Sequence, residues 1–190
     1  MARTEVTNED LNGYFNGLMA LRKESGPSWV ASSSEWLERK DATKRIIEDI
    51  IGGIPVTQSQ IRWRVDSEEE LEGFIKRKVI YSGEEGEEIP AYLLVPKGIT
   101  TPRPTVICIH GTSPYGKDLA VGAMGPSSRA SGLDLVKKGY VIIAPDLLTF
   151  GERIHGGLKY VDTTEFYRKH PRWSMLGKII FDISRAVDFL

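Results

Sequence analysis

The chain of 190 residues contains one cysteine, Cys108. No internal disulfide can form, so the fold does not depend on an oxidising compartment. Cys108 lies within an apolar run and reads as a small buried hydrophobe rather than a reactive thiol. No stretch reaches the ~18 apolar residues that a membrane-spanning helix needs. The opening residues Met1-Ala2-Arg3-Thr4-Glu5 carry no apolar signal core. These two absences set the expectation of a cytoplasmic protein. A formal net charge of −1 leaves no basic footprint for nucleic acid, and no Lys/Arg-rich helix offers itself to a membrane surface. The three histidines lack the close spacing of a zinc motif, so neither a metal nor another cofactor is expected. Repeats and low-complexity tracts are missing too. Also missing is any Gly-x-Ser-x-Gly turn, the setting that raises a serine nucleophile above a sheet.

What is present divides at about residue 58. Residues 1–58 read as a helical, polar extension. Leu11, Phe15, Leu18 and Leu21 recur at helical spacing, and Ser25-Gly26-Pro27-Ser28 breaks the run. The capping-box pattern Ser32-x-x-Glu35 then opens a second helix, with Trp36, Leu37, Ile46, Ile47, Ile50 and Ile51 on one side and Gly52-Gly53 and Pro55 as its stop. Residues 59–190 change period. Ile61 to Val65 alternates like a short strand, and Glu68-Glu69-Glu70 reads as a solvated turn because like charges repel. The runs 74–81 and 89–95 form a hairpin across a Gly- and Glu-rich turn, and Pro96 ends it. Strands at 105–110 and 140–144 are apolar throughout, which suits a parallel sheet covered on both faces. Between them lies a helix near 127–138 with Leu133 and Val136 inward, basic residues in its last turn and Gly139 as its stop. A long irregular segment, 146–172, leads to a final helix whose stripe of Leu176, Ile179, Ile180, Ile183, Val187 and Leu190 is expected to dock inward.

Several of these segments carry a family likeness. They are the hairpin strand Ile89 to Pro96, the His110-Gly111 strand end, the Pro145-Asp146 strand end and the turn Phe150-Gly151-Glu152-Arg153. Taken in order, they resemble the α/β-hydrolases, and within them the dienelactone-hydrolase and acetyl-xylan-esterase-like branch. The likeness covers roughly residues 60 to 190. It implies an α/β fold whose sheet is mostly parallel after an N-terminal hairpin, with strands 1–4 and the first two core helices falling in 59–190. The implied chemistry is hydrolysis of a small-molecule carboxylic ester, passing through a tetrahedral intermediate that needs two preorganised N–H donors. In that fold one donor comes from the loop after the third strand, here Gly111-Thr112-Ser113. Gly111 and Thr112 are the oxyanion-hole candidates, with the Thr112 N–H preferred and glycine at 111 easing a tight turn. Ser113, Asp146, Glu152 and Arg153 are candidates for lining the pocket.

The Ser-Asp-His triad that such a site requires is not legible in the chain. Ser113 lacks a second glycine after it, and no histidine is placed beside a serine. The resemblance puts the triad beyond residue 190, in a missing C-terminal half or a second chain, so the expectation is that these residues are inactive alone. The third strand would then expose Val106, Ile107 and Ile109 on an open edge. A serine peptidase-like hydrolase of the same fold stays open, as does a non-catalytic subunit that recruits a partner or a second copy of itself along that edge. A further reading comes from Gly111 to Lys117, which match the Gly-x-x-x-x-Gly-Lys core of a phosphate-binding loop. Against it, Asp118 stands where a Ser or Thr should hold Mg²⁺, and Gly122, Gly125 and Pro126 interrupt the helix that should follow.

Overall fold

The computed structural model describes residues 32–52, 60–84 and 87–190, together with Gly13 and Asn16. The helix expected around Leu11 to Leu21, the break at Ser25 to Ser28 and the stop residues Gly53 and Pro55 lie outside the described residues. Two units divide the chain, Met1–Ile46 and Ile47–Leu190. Among the described residues no helix is long and apolar enough to cross a membrane.

Helix α1 (Ser33–Ile51) begins where its cap predicts. The Glu35 N–H donates to Ser32 Oγ at 3.2 Å, satisfying one of the orphan donors of the first turn. It ends at Gly52, whose φ of 83° is the left-handed conformation that glycine adopts past a helix end. Its apolar side is mostly uncovered. Trp36, Leu37, Ile46, Ile47 and Ile50 are exposed, and only Ile51 is buried.

A five-stranded sheet is built from β1 (Trp63–Glu70), β2 (Phe74–Ser82), β3 (Glu88–Pro96), β4 (Thr105–Ile107) and β5 (Val141–Pro145), in the spatial order β1-β2-β3-β5-β4. Only β4 and β5 run parallel, and the other three pairings are antiparallel. Helix α3 (Ser131–Lys137) packs towards β3 and β5, and helix α5 (Met175–Phe189) lies over β2 and β5. One core cluster joins Phe74, Leu94, Val136 and Ile142, and another joins Val79, Tyr81, Ile89, Ile143 and Ala186. Ile142 and Ile143, neighbours on β5, therefore point to opposite faces and are both fully buried, which is why that strand shows no alternation. Two short helices complete the order, α2 (Lys117–Ala120) and α4 (Thr164–Lys169).

Four expectations need correction. Glu68, Glu69 and Glu70 are not a turn: they extend β1, which pairs with β2 along its length. Cations beside the strand make this possible, since Arg77 and Lys76 of β2 bond Glu68 and Glu69, and Lys97, just past β3, bonds Glu70. The strand expected at 105–110 ends at Ile107, although the Cys108 N–H still reaches the Ile143 carbonyl at 2.8 Å. It has a ladder partner on one side only. The helix expected near 127–138 is a 3₁₀ turn at Ser127–Arg129 followed by α3, in which Val136 is buried and Leu133 partly so.

The fourth correction concerns α5. Its buried face is Gly177, Lys178, Phe181, Asp182, Arg185 and Ala186, a charged face rather than the apolar stripe. Leu176, Val187 and Leu190 are instead more than half exposed. Small residues at 177 and 186 let the helix approach closely. The charges are tolerated because each is paired: Lys178 with Asp182 and Glu87, Asp182 also with Arg153, and Arg185 with Asp188. Hydrophobic periodicity is blind to a face neutralised in this way.

Candidate active site

Ligands in open α/β sheets bind outside the carboxyl ends of the strands, and the loops after β4 and β5 meet at that end. Residue 110, just past β4, is the first link. His110 is buried, its Nε2 accepts the Leu147 N–H at 3.1 Å, and its Nδ1 lies 2.9 Å from the Gly111 carbonyl. An accepting Nε2 requires the ring proton on Nδ1, so His110 is a structural bridge. Its ring also meets Phe150 edge-on at 5.3 Å, and Phe150 touches Tyr160.

The far end of the same loop is held by Asp146, which has no exposed surface. Its Oδ1 accepts the Lys117 N–H at 2.7 Å, and its Oδ2 accepts the Lys117 ammonium at 2.8 Å and the Glu152 N–H at 3.0 Å. Lys117 is 1% exposed, bonds Glu152 as well, and sits 5.1 Å from the centre of the Tyr92 ring. Burial alone would lower the lysine's proton affinity. The Asp146 and Glu152 carboxylates outweigh that and hold it above the ordinary lysine range. This geometry removes the phosphate-loop reading, because the one lysine that would bind phosphate is enclosed and already neutralised. The helix after it, α2, is only four residues long.

Between these two fastenings the loop 111–116 is largely open. Gly111 and Thr112 are exposed, and the Thr112 N–H donates no hydrogen bond among the described residues. Gly111 is not at a positive φ, and a methyl group added there would meet nothing nearer than Arg129 Nη1 at 3.8 Å. The tight turn expected at Gly111 belongs to Gly116 instead, at φ 52°. Ser113 is buried; its Oγ accepts the Tyr115 N–H at 3.3 Å and its carbonyl accepts the Gly116 N–H. That hydroxyl is occupied in shaping the turn.

Glu152 and Arg153 are sequence neighbours that turn to different partners. Glu152, its side chain 43% exposed, bridges Lys117 and Lys78. Burial opposes ionisation of its carboxyl, but the two lysines hold it below the usual glutamate range. Arg153 is 2% exposed, donates to Asp182 at 2.8 Å and to the Asp146 carbonyl at 3.1 Å, and also bonds Glu87. Its Nε and the Thr149 hydroxyl are buried without partners among the described residues. Beside them lies a cavity of 570 Å³ between the hairpin turn, the 148–170 loop and α5, with Leu148, Ile154, Leu158 and Phe166 as its apolar wall. Of the four candidate lining residues only Arg153 reaches it; Ser113, Asp146 and Glu152 do not. Phe166 both lines the cavity and packs with Leu148, Trp173 and Phe181, whereas Trp173 joins that cluster without lining the cavity and Tyr160 is partly exposed. His170 pairs with Glu84 at 3.1 Å, and His155 lies on the cavity rim. None of the three histidines bonds a serine among the described residues. No cluster of three His, Cys, Asp or Glu side chains suited to a metal occurs among the described residues.

Sequence reasoning took Lys117 only as the end of a phosphate-loop match and missed its carboxylate partners, 29 and 35 positions away, as well as the Glu87–Arg153–Lys178–Asp182 network. No local pattern announces either. The charged residues inside the α5 stripe were the available signal.

Comparison with known proteins agrees with this architecture. The Abhydrolase family matches over residues 30–179. A Bacteroides fragilis protein assigned as an acetyl xylan esterase superposes with a TM-score of 0.73 at 18% identity, covering 98% of this chain and 50% of its own. A glucuronoyl esterase from Solibacter usitatus gives 0.50 at 16% identity, over 84% of this chain and 50% of that one. A promiscuous esterase from a marine bacterial metagenome gives 0.50 at 16%, over 85% and 50%. At such identities the likeness is one of fold. The chain spans about half the length of each of these structures. No protein of curated function matches it.

Proposed function

We propose, for a chain that belongs to the Abhydrolase family, that it forms the front half of a carboxylic ester hydrolase and supplies the oxyanion loop. The nucleophile, acid and base of the Ser-Asp-His triad then come from outside these 190 residues. One observation carries the reading. The exposed Thr112 N–H has no acceptor among the described residues, on a loop fastened at both ends to the residues that follow β5. An N–H held in place and left unsatisfied costs nothing while water can reach it, and it is ready for a developing oxyanion. Esterases among the fold neighbours support ester rather than peptide substrates. Gly111 and Thr112 are the residues assigned to the oxyanion, and Arg153 the one assigned to the cavity wall. Residues 1–190 alone should hydrolyse p-nitrophenyl acetate no faster than buffer, whereas the longer polypeptide should turn it over. Turnover at an enzymatic rate by residues 1–190 would contradict the reading.

A second reading rests on the open β4 edge and the outward apolar stripe of α5. In it the chain is a non-catalytic subunit that binds a partner or a second copy of itself through that surface. Size-exclusion chromatography separates the two: a soluble monomer counts against an obligatory partner.

A further inference from the structure

Resting on the reading of 111–113 as the oxyanion loop, we propose that Asp146 is the positioning residue for that loop, acting through Lys117. The argument begins with the carboxylate itself. A fully buried carboxylate is costly unless donors surround it, and Asp146 has three, of which two belong to Lys117. A backbone N–H and an ammonium from one residue fix that residue in both position and orientation, so the start of α2 cannot shift without breaking both contacts.

The backbone is moulded to the same carboxylate. Gly116 and Gly151 both adopt positive φ, 52° and 56°, and a Cβ on either would fall 2.1 Å from Asp146 Oδ1. Main chain from two loops thus closes on one side chain, at positions where any larger residue would collide with it. The third element is the other end of the loop, where His110 accepts the N–H of Leu147, the residue after Asp146. Residues 111–116 are therefore suspended between fastenings to two consecutive residues at the end of β5. The place of the Thr112 N–H follows from where β5 ends. A donor must lie ~2.7–3.1 Å from the oxyanion, and a displacement of about 1 Å can cost ~10²-fold in rate.

The test uses the longer polypeptide, with steady-state ester hydrolysis and amide hydrogen exchange read on the same samples. Asp146→Asn keeps the shape but presents an amide N–H₂ to donors that need an acceptor. The expected result is a fall in kcat of about 30- to 100-fold with KM changed by less than about threefold. Exchange should accelerate in 111–117 but not in β2 and β3. Lys117→Met, which leaves the backbone contact to Oδ1 in place, should give a smaller fall of the same kind. It also serves if Asp146→Asn does not fold. Glu152→Gln, which leaves both Asp146–Lys117 contacts intact, should change kcat by less than about threefold. Unchanged exchange in 111–117, or a loss of activity that only tracks the loss of folded protein, overturns the proposal. Absence of ester turnover in the unmodified protein would sink the functional reading, and the effect of Asp146 on turnover with it. The exchange arm still decides separately whether Asp146 fastens the loop.

Discussion

The two edges of the sheet are made of opposite materials. β1 carries Asp66, Glu68, Glu69 and Glu70, is exposed along its whole length, and has a register shift between Val65 and Ser67. Charge and a bulge are the devices by which proteins stop a strand from recruiting another. β4 has three uncharged residues, pairs regularly with β5, and has Val106 and Ile107 packed against different core clusters. It carries none of those protections. One edge is charged and bulged, and the other is neither. Helix α5 repeats the contrast, with its charged face buried and Leu176, Val187 and Leu190 turned outward. The difference teaches that the two edges guard themselves differently: β1 sets charge and a bulge beside its exposed Trp63 and Val65, whereas β4 has uncharged residues only.

The sharpest way to break the comparison is to put the same charge on both edges of the longer polypeptide. Ile107→Lys should cost about 3 kcal/mol in urea unfolding, the range for an unpaired charge placed in a packed interior, whereas Val65→Lys should stay within about 0.5 kcal/mol. Equal effects would abolish the distinction. Next in size, if the continuation covers the stripe, Val187→Glu should cost about 1.5 kcal/mol in the longer polypeptide, yet leave residues 1–190 unharmed or more soluble. A loss in the shorter chain instead would place that stripe in its own core. Smaller again, Glu69→Lys sets like charges against Lys76 across the strand pair, and about 0.5 kcal/mol should be lost. The loss should shrink at high salt as exposed charges are screened.

The smallest expected effect is on pH. Burial favours the protonated form of Glu87, but Arg153 and Lys178 outweigh it and hold the carboxyl below the usual range, as the lysines do for Glu152. Their stabilisation is present above the ordinary glutamate value of about 4.3 and is lost as pH falls through the lowered values. Asp182 works in the opposite sense, since burial raises its carboxyl despite Arg153 and Lys178, and protonation relieves that penalty. Thermal midpoints should therefore decline only below about pH 4.5, and gently. A steep decline already near pH 6 would mean that other groups control acid stability.

Much of the fold was legible because its determinants are local. The Ser32 cap, the Phe74–Pro96 hairpin, the all-apolar β5 and the Gly139 stop each follow from a few adjacent residues. What escaped depends on distant partners. Glu68 to Glu70 join a strand only because Lys76, Arg77 and Lys97 lie beside them. The buried side of α5 is set by Glu87 and Arg153, remote in sequence. The site divides in the same way. The strand-to-loop order put Gly111 and Thr112 on the loop after β4, where they are exposed, whereas Asp146, expected near a pocket mouth, is enclosed between Lys117 and two glycines that no short motif brings together.

The central claim is that this chain holds an oxyanion loop served by a serine from elsewhere. The most direct test is to treat the longer polypeptide with a fluorophosphonate and locate the modified residue by peptide mass spectrometry. The account predicts a single labelled serine beyond residue 190 and none within residues 1–190. Stoichiometric labelling of Ser113, or of any other serine in this chain, would contradict it.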